Sequence, residues 1–166
     1  SVLATSGSIT DANVDDAATH LNISASNARL EAGTSIGSGD GSASDTNVNA
    51  VDISVGNVEA LAGTDVYLES NQAVTVGGVD GVNYSHEYFA SGEQSGSDAG
   101  LTGLEGTAGV VKLKSAGTVT VNEAVQAGTD LLLLSTSGDI DQNASLTASS
   151  GRASVISASG VTQDAN

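Results

Sequence analysis

The chain has no cysteine, no proline, no methionine and no tryptophan, and its aromatic residues are three Tyr and one Phe among 166 residues. Lack of Cys excludes disulfides, thiolate metal sites and thiol nucleophiles, and leaves the compartment open. Proline removes a donor from a strand ladder, and average usage of ~5% would place about eight here. Its absence suits a chain whose segments pair on both sides. With so few aromatics, the interior must be filled by Val, Leu, Ile and Ala, which fits a narrow core better than a broad one. Basic residues are the other scarcity. Arg29, Lys112, Lys114 and Arg152 stand against 20 acids, for a net charge of −16. Nucleic acid and anionic membrane surfaces both call for a basic footprint, so neither is an expected partner. No apolar run approaches the ~18 residues that a spanning helix needs, so membrane insertion is not expected.

What the chain does have is repetition. Ala62-Gly63-Thr64-Asp65-Val66-Tyr67-Leu68-Glu69-Ser70 returns as Ala127-Gly128-Thr129-Asp130-Leu131-Leu132-Leu133-Leu134-Ser135, with a looser copy at Ala32-Gly33-Thr34-Ser35-Ile36. A second motif runs through Leu3-Ala4-Thr5-Ser6-Gly7-Ser8-Ile9, Leu113-Lys114-Ser115-Ala116-Gly117-Thr118-Val119, Leu134-Ser135-Thr136-Ser137-Gly138-Asp139-Ile140 and Ile156-Ser157-Ala158-Ser159-Gly160-Val161. Its glycines Gly117, Gly138 and Gly160 are 21 and 22 residues apart, whereas Gly7, Gly33 and Gly63 are 26 and 30 apart. A unit this short cannot bury its own apolar side chains and must hide them against the next copy. Three strands of ~5 residues with their bends occupy roughly 20–30 residues, so the expected fold is an all-β solenoid built of rungs that long. The 21 glycines, with abundant Ser, Thr, Asn and Asp, are expected at bends where φ turns positive.

Residues 1–82 read as solenoid rungs with long turns. Short strands are expected at Val2–Thr5, Ser8–Thr10, His20–Ser24, Ala28–Glu31, Val51–Val55, Val58–Ala60, Val66–Glu69 and Val74–Val76. Between them Asp11–Ala18 suits either one capped helical turn or a polar bend, and Ser38–Asn47 suits a Gly/Ser turn. The pattern breaks at 83–109, where Asn83-Tyr84-Ser85-His86-Glu87-Tyr88-Phe89 leads into a Gly- and Ser-rich stretch. That segment reads as a loop insertion leaving the solenoid between two rungs. Residues 110–166 are regular again. Ser1-Val2-Leu3 already sits inside the pattern and Val161-Thr162-Gln163 still follows it, so the chain is expected to be a segment of a longer array.

Ala127–Asp141, with its A-G-x-D-L-x-L pattern running into Ser137-Gly138-Asp139-Ile140, resembles the repeats of filamentous-haemagglutinin-type adhesins. These are large bacterial exoproteins of the two-partner-secretion type. Asp141-Gln142-Asn143-Ala144 and its echo Thr162-Gln163-Asp164-Ala165 are similar to the same repeats. The resemblance covers 110–166 well and 1–82 loosely, and leaves 83–109 unmatched. It implies a right-handed parallel β-helix, used as a stalk or adhesive filament by a secreted or cell-surface bacterial protein. It implies no catalytic residues.

The residues themselves also argue against catalysis. A triad needs Ser or Cys with His and Asp, but His20 and His86 are the only histidines and no G-x-S-x-G occurs. Two His make a zinc site a poor fit. Lys112 and Lys114, at i and i+2, share a strand face that reads as solvated. Asp139 and Asp141 also share a face, as do many pairs in so acidic a chain. No cofactor is implied. Calcium is the one metal the acidic turns would suit, with Asp40 and Asp45 in the Gly/Ser bend as candidate ligands and Asp11, Asp15 and Asp16 as further donors. The D-x-D-x-D-G loop is absent, so acidic turns that simply keep the chain soluble are the competing reading. Tyr84, His86, Tyr88 and Phe89 form the one aromatic cluster. They are candidates for contact with a host or neighbouring-cell protein or glycan, or else a cover folded back on the solenoid. The expected function is structural and adhesive. The alternatives are a carbohydrate-binding or carbohydrate-processing β-helix, and a filament or surface-layer subunit that self-associates end to end.

Overall fold

The computed structural model describes residues 1–12, 20–39, 49–88 and 92–164. Among the described residues the regular elements are strands, with no helix, and therefore no helix long and apolar enough to cross a membrane. Fourteen strands form one sheet that winds round until it nearly closes on itself, and every pairing within it is parallel. The all-β, solenoid-like architecture expected from the repeats is the one observed.

Three ladders make up the winding. The first stacks β1 (Val2–Ala4), the ends of β2 (Ile23–Ala32) and β3 (Val51–Ala62), then β8 (Leu104–Gly106), β11 (Val125–Ala127) and β14 (Leu146–Ala148). The second stacks Ile9 and Ile36, by isolated bridges, under β4 (Val66–Ser70), β9 (Val111–Ser115), β12 (Leu131–Ser135) and β15 (Ala153–Ser157). The third runs from the middle of β2 and β3 through β5 (Val74–Val76), β10 (Val119–Val121), β13 (Ile140–Gln142) and β16 (Val161–Gln163). β6 (Val82–Tyr88) and β7 (Gly92–Asp98) stand apart as a two-stranded antiparallel hairpin.

Period-2 alternation explains the strands. In Val66-Tyr67-Leu68-Glu69-Ser70, residues 66, 68 and 70 are buried while Tyr67 and Glu69 are half-exposed. Equivalent inward positions stack as columns, such as Leu68–Leu113–Leu133–Val155 and Val74–Val119–Ile140–Val161. Among the described residues the core is accordingly aliphatic, made of Val, Leu, Ile and Ala without an aromatic.

The repeated glycines sit at the corners for a reason other than the expected one. Among the described residues the glycines in the left-handed region are Gly37, Gly77, Gly78 and Gly103, and none of the motif glycines is among them. Instead most of these corners rest directly on the corner below, the exceptions being Gly7 and Gly160 at the two ends, where an added Cβ would meet nothing closer than 3.4 Å. A Cβ on Gly63 would lie 2.3 Å from Gly33 O, on Gly128 2.6 Å from Thr107 O, and on Gly138 2.4 Å from the Thr118 nitrogen. Close backbone approach, not positive φ, is what excludes a side chain there. The motif's Asp is a staple between successive turns of the winding. Asp65 Oδ1 accepts the Val110 N–H at 2.8 Å, and Asp130 Oδ1 accepts the Arg152 N–H at 2.8 Å.

The Ser that closes each second-ladder strand forms a hydroxyl column, Ser70–Ser115–Ser135–Ser157, buried at its first three members. Gln72 O accepts from both Ser70 Oγ and Ser115 Oγ, at 2.9 and 2.8 Å. Ser135 Oγ accepts the Gly138 N–H at 2.9 Å and lies 2.9 Å from Gly117 O. The hydroxyls thus satisfy corner groups that no strand ladder reaches. Ser135→Ala should therefore cost about 1–3 kcal/mol, because it leaves buried polar groups unpaired. Thermal unfolding checks this against Ser154→Ala, an exposed position on β15, which should melt like the parent chain.

Two long turns leave the second ladder at the same point in successive turns of the winding. Ile9 and Ile36 both align with Val66, and Ile23 and Ile53 both align with Ser70. Where β4 runs straight on, the chain leaves after Ile9 and Ile36 and is back in a strand at Ile23 and Val51. The first is closed by Asn22, whose Nδ2 donates to Asp11 Oδ1 at 3.2 Å and whose Oδ1 accepts the Asp52 N–H at 2.7 Å. The central parts of both turns, including the segment that suited a helical turn, lie outside the described residues.

Candidate functional site

The hairpin is inserted where the third ladder hands over to the first. In the next turn of the winding this handover takes three residues, Asn122-Glu123-Ala124, between β10 and β11. Between β5 and β8 it takes residues 77–103. The ladders nonetheless close across the gap, since Ala60 of β3 pairs with Leu104 and Val76 with Val121. The segment set apart from sequence as 83–109 thus contains β7 and also β8, which belongs to the main sheet. Gly77 and Gly78, with φ of 106° and 76°, turn the chain out, and Gly103, with φ of 70°, turns it back.

Three charged side chains hold the two ends of the insertion together. Glu59 lies between the core residues Val58 and Ala60 on β3, so it points away from the core, yet it is only 1% exposed because the insertion's base lies over it. Its Oε1 accepts the Val79 N–H of the outgoing limb at 2.7 Å, and its Oε2 accepts the Leu101 N–H of the returning limb at 3.1 Å. Glu123 does the same from the next turn of the winding, taking the Gly78 N–H at 3.2 Å and the Gly103 N–H at 2.8 Å. Arg29, also buried, donates through Nε to Ala99 O at 2.6 Å and pairs with Glu31. Burial pushes the Glu59 carboxyl above the usual carboxylate range. The Val79 N–H pulls it back, and the negative charge of Glu123 raises it further.

Above this base, β6 and β7 pair in register from Val82↔Asp98 to Tyr88↔Gly92. The expected loop is a strand pair, consistent with the alternation of Val82, Tyr84, His86 and Tyr88 with smaller or charged residues. In register Tyr84 pairs with Gly96, His86 with Gln94, Glu87 with Glu93 and Tyr88 with Gly92. Phe89 lies outside the described residues, as do Asp40 and Asp45 of the candidate calcium turn.

Elsewhere, Lys112 and Lys114 do share the outer face of β9, but that face is not freely solvated. Lys112 is buried, and Lys114 Nζ is 3.1 Å from Glu69 Oε1 on the neighbouring strand. Asp141 accepts from Thr162 Oγ1 at 2.5 Å along the third ladder and so serves as a link between turns of the winding. Among the described residues no group of three or more His, Asp or Glu side chains is placed to hold a metal ion. The sequence reading missed Glu59 and Glu123. The one local signal was Glu59 itself, a charge inside the apolar run Val58–Ala62, opposite Arg29 in register. No family model, no curated protein and no solved structure matches the chain.

Proposed function

We propose that the chain is a structural and adhesive segment of a large secreted or cell-surface bacterial protein. In this reading the winding is a right-handed β-helix with turns of roughly 20–30 residues. It acts as a stiff spacer and carries no catalytic machinery. The observation that carries the reading is the hairpin, a two-stranded projection anchored at both ends to an aliphatic stack. Tyr84 and Tyr88 belong to its first strand, in a chain that has only four aromatics. Backbone ladders running the length of the stack resist bending, and the hairpin presents contact groups to a protein, a glycan or a second copy of the chain. Supporting this are the resemblance of 110–166 to adhesin repeats and the acidity that disfavours nucleic acid.

Replacing Tyr84, Tyr88 and Phe89 together by Ser is expected to abolish attachment to cells or glycan arrays and leave the melting temperature unchanged. If melting falls by the several degrees that ~1–3 kcal/mol of lost burial implies, the aromatics cover the stack and the contact reading fails.

A further inference from the structure

Alternation puts the middle residue of each first-ladder strand outside, and those residues line up as Leu3–Glu31–Leu61–Glu105–Gln126–Thr147. Gln126 and Thr147 are ordinary solvent-facing polar residues. Leu3 and Leu61 break the pattern that sends aliphatic side chains inward, and Leu3 is 46% exposed. A single exposed leucine needs no explanation. Here two of them alternate with carboxylates at steps of about 4.8 Å, the spacing between neighbouring strands.

The column lies in a groove. A hollow of about 350 Å³ is bordered by Leu3, Glu31, Leu61 and the corner residues Thr5, Gly33 and Gly63. A second hollow, of about 160 Å³, is bordered by Leu61, Glu105 and the returning limb of the insertion at 100–102. The two share Leu61 and lie on either side of it, one toward Gly63 and the other toward Ala60. Both sides are fixed from beneath. Glu59 Oε2 holds the Leu101 N–H at 3.1 Å, and the buried Arg29 takes Glu31 Oε2 while leaving that side chain 34% exposed. Among the described residues the lining has no Lys or Arg to receive an anion and no aromatic ring for a sugar to stack on.

We propose that this groove docks an extended, basic segment of a partner protein. Leu3 and Leu61 supply apolar contact, the carboxylates between them pair with Lys or Arg, and the net charge of −16 draws a basic segment in. The spacing selects the conformation. Glu31 and Glu105 are two steps apart along the column, roughly 10 Å. A polyproline II chain advances about 3.1 Å per residue with three residues per turn, so every third side chain returns to one face after roughly 9 Å. Basic residues three apart on such a segment therefore match the two carboxylates. A regular strand does not, because its third neighbours point to opposite sides. The groove is separate from the aromatics of the hairpin, so its failure as a docking site leaves the proposed function standing.

The test is NMR titration of the intact chain with two Pro-rich peptides of one composition, the first with Lys at every third position and the second with its Lys residues adjacent. The first is expected to shift the amides of Leu3, Glu31, Leu61 and Glu105, to leave Thr75 and Thr120 on the third ladder unmoved, and to bind about fivefold tighter than the second. Glu105→Gln should weaken its binding about threefold to fivefold and Leu61→Thr about tenfold, both melting like the parent chain. Equal affinity for the two peptides overturns the proposal, as do shifts scattered over the acidic surface or none at millimolar peptide. So does a neutral chitin oligosaccharide that moves the groove amides where the first peptide does not. The shift map needs no variant, so a substitution that misfolds leaves the proposal open to refutation.

Discussion

Gly103→Ala is expected to unseat the insertion and lower the melting temperature by about 6–12 °C. Gly103 takes φ of 70°, and a Cβ there would fall 2.0 Å from Ala124 O, a backbone atom with little freedom to retreat. The Ala124 carbonyl accepts the Leu104 N–H at 3.1 Å, the Gly103 carbonyl accepts the Ala60 N–H at 2.9 Å, and the Gly103 N–H is one of those held by Glu123. Relief of the clash therefore disturbs three bonds at the point where the first ladder resumes. Left-handed backbone costs an L-residue about 1–2 kcal/mol, and three hydrogen bonds of about 1 kcal/mol, each weakened by roughly half, add about 1.5. A total near 3 kcal/mol corresponds to the stated shift for a chain of this size. Gly7→Ala is the control, since a Cβ there meets nothing within 4 Å. If both variants melt with the parent chain, the insertion is not seated as described.

The second large effect is expected at Leu113. It is fully buried, and in register it is flanked by Leu68 on one side and Leu133 on the other. Leu113→Ala opens a cavity midway along a column, where stacking on both sides prevents the backbone from closing in. The expected cost is about 2–5 kcal/mol. Because each turn of the winding is stabilised mainly by its neighbours, the loss should also divide the stack and broaden the unfolding transition. Calorimetry or circular dichroism checks both features. Leu3→Ala, at a position 46% exposed, should change stability by no more than about 0.5 kcal/mol.

Strand positions were largely legible from sequence because alternation is local. Val66–Ser70 and Val111–Ser115 each state their inward face within five residues, and the repeated A-G-T-D marks the corner before Val66–Ser70 and before the uniformly apolar Leu131–Ser135. The purpose of the corner glycines was not legible. A glycine needed for positive φ and one needed for close stacking look the same in a sequence, and only the distance to the turn below separates them.

The hairpin's base shows the same limit more sharply. The sequence marked residues 83–109 as foreign to the repeat and singled out Tyr84, His86, Tyr88 and Phe89 by their rarity. It carried no sign that Glu59 would meet Val79 and Leu101, or that Glu123 would meet Gly78 and Gly103. Those contacts span an insertion, and no short-range pattern encodes register across a segment that leaves the ladder and returns. Composition and periodicity by themselves determined an acidic, aliphatic-cored, all-β stack. The winding of the sheet decided which carboxylates came to hold the two limbs of the hairpin's base, because proximity between turns depends on how many residues each turn uses.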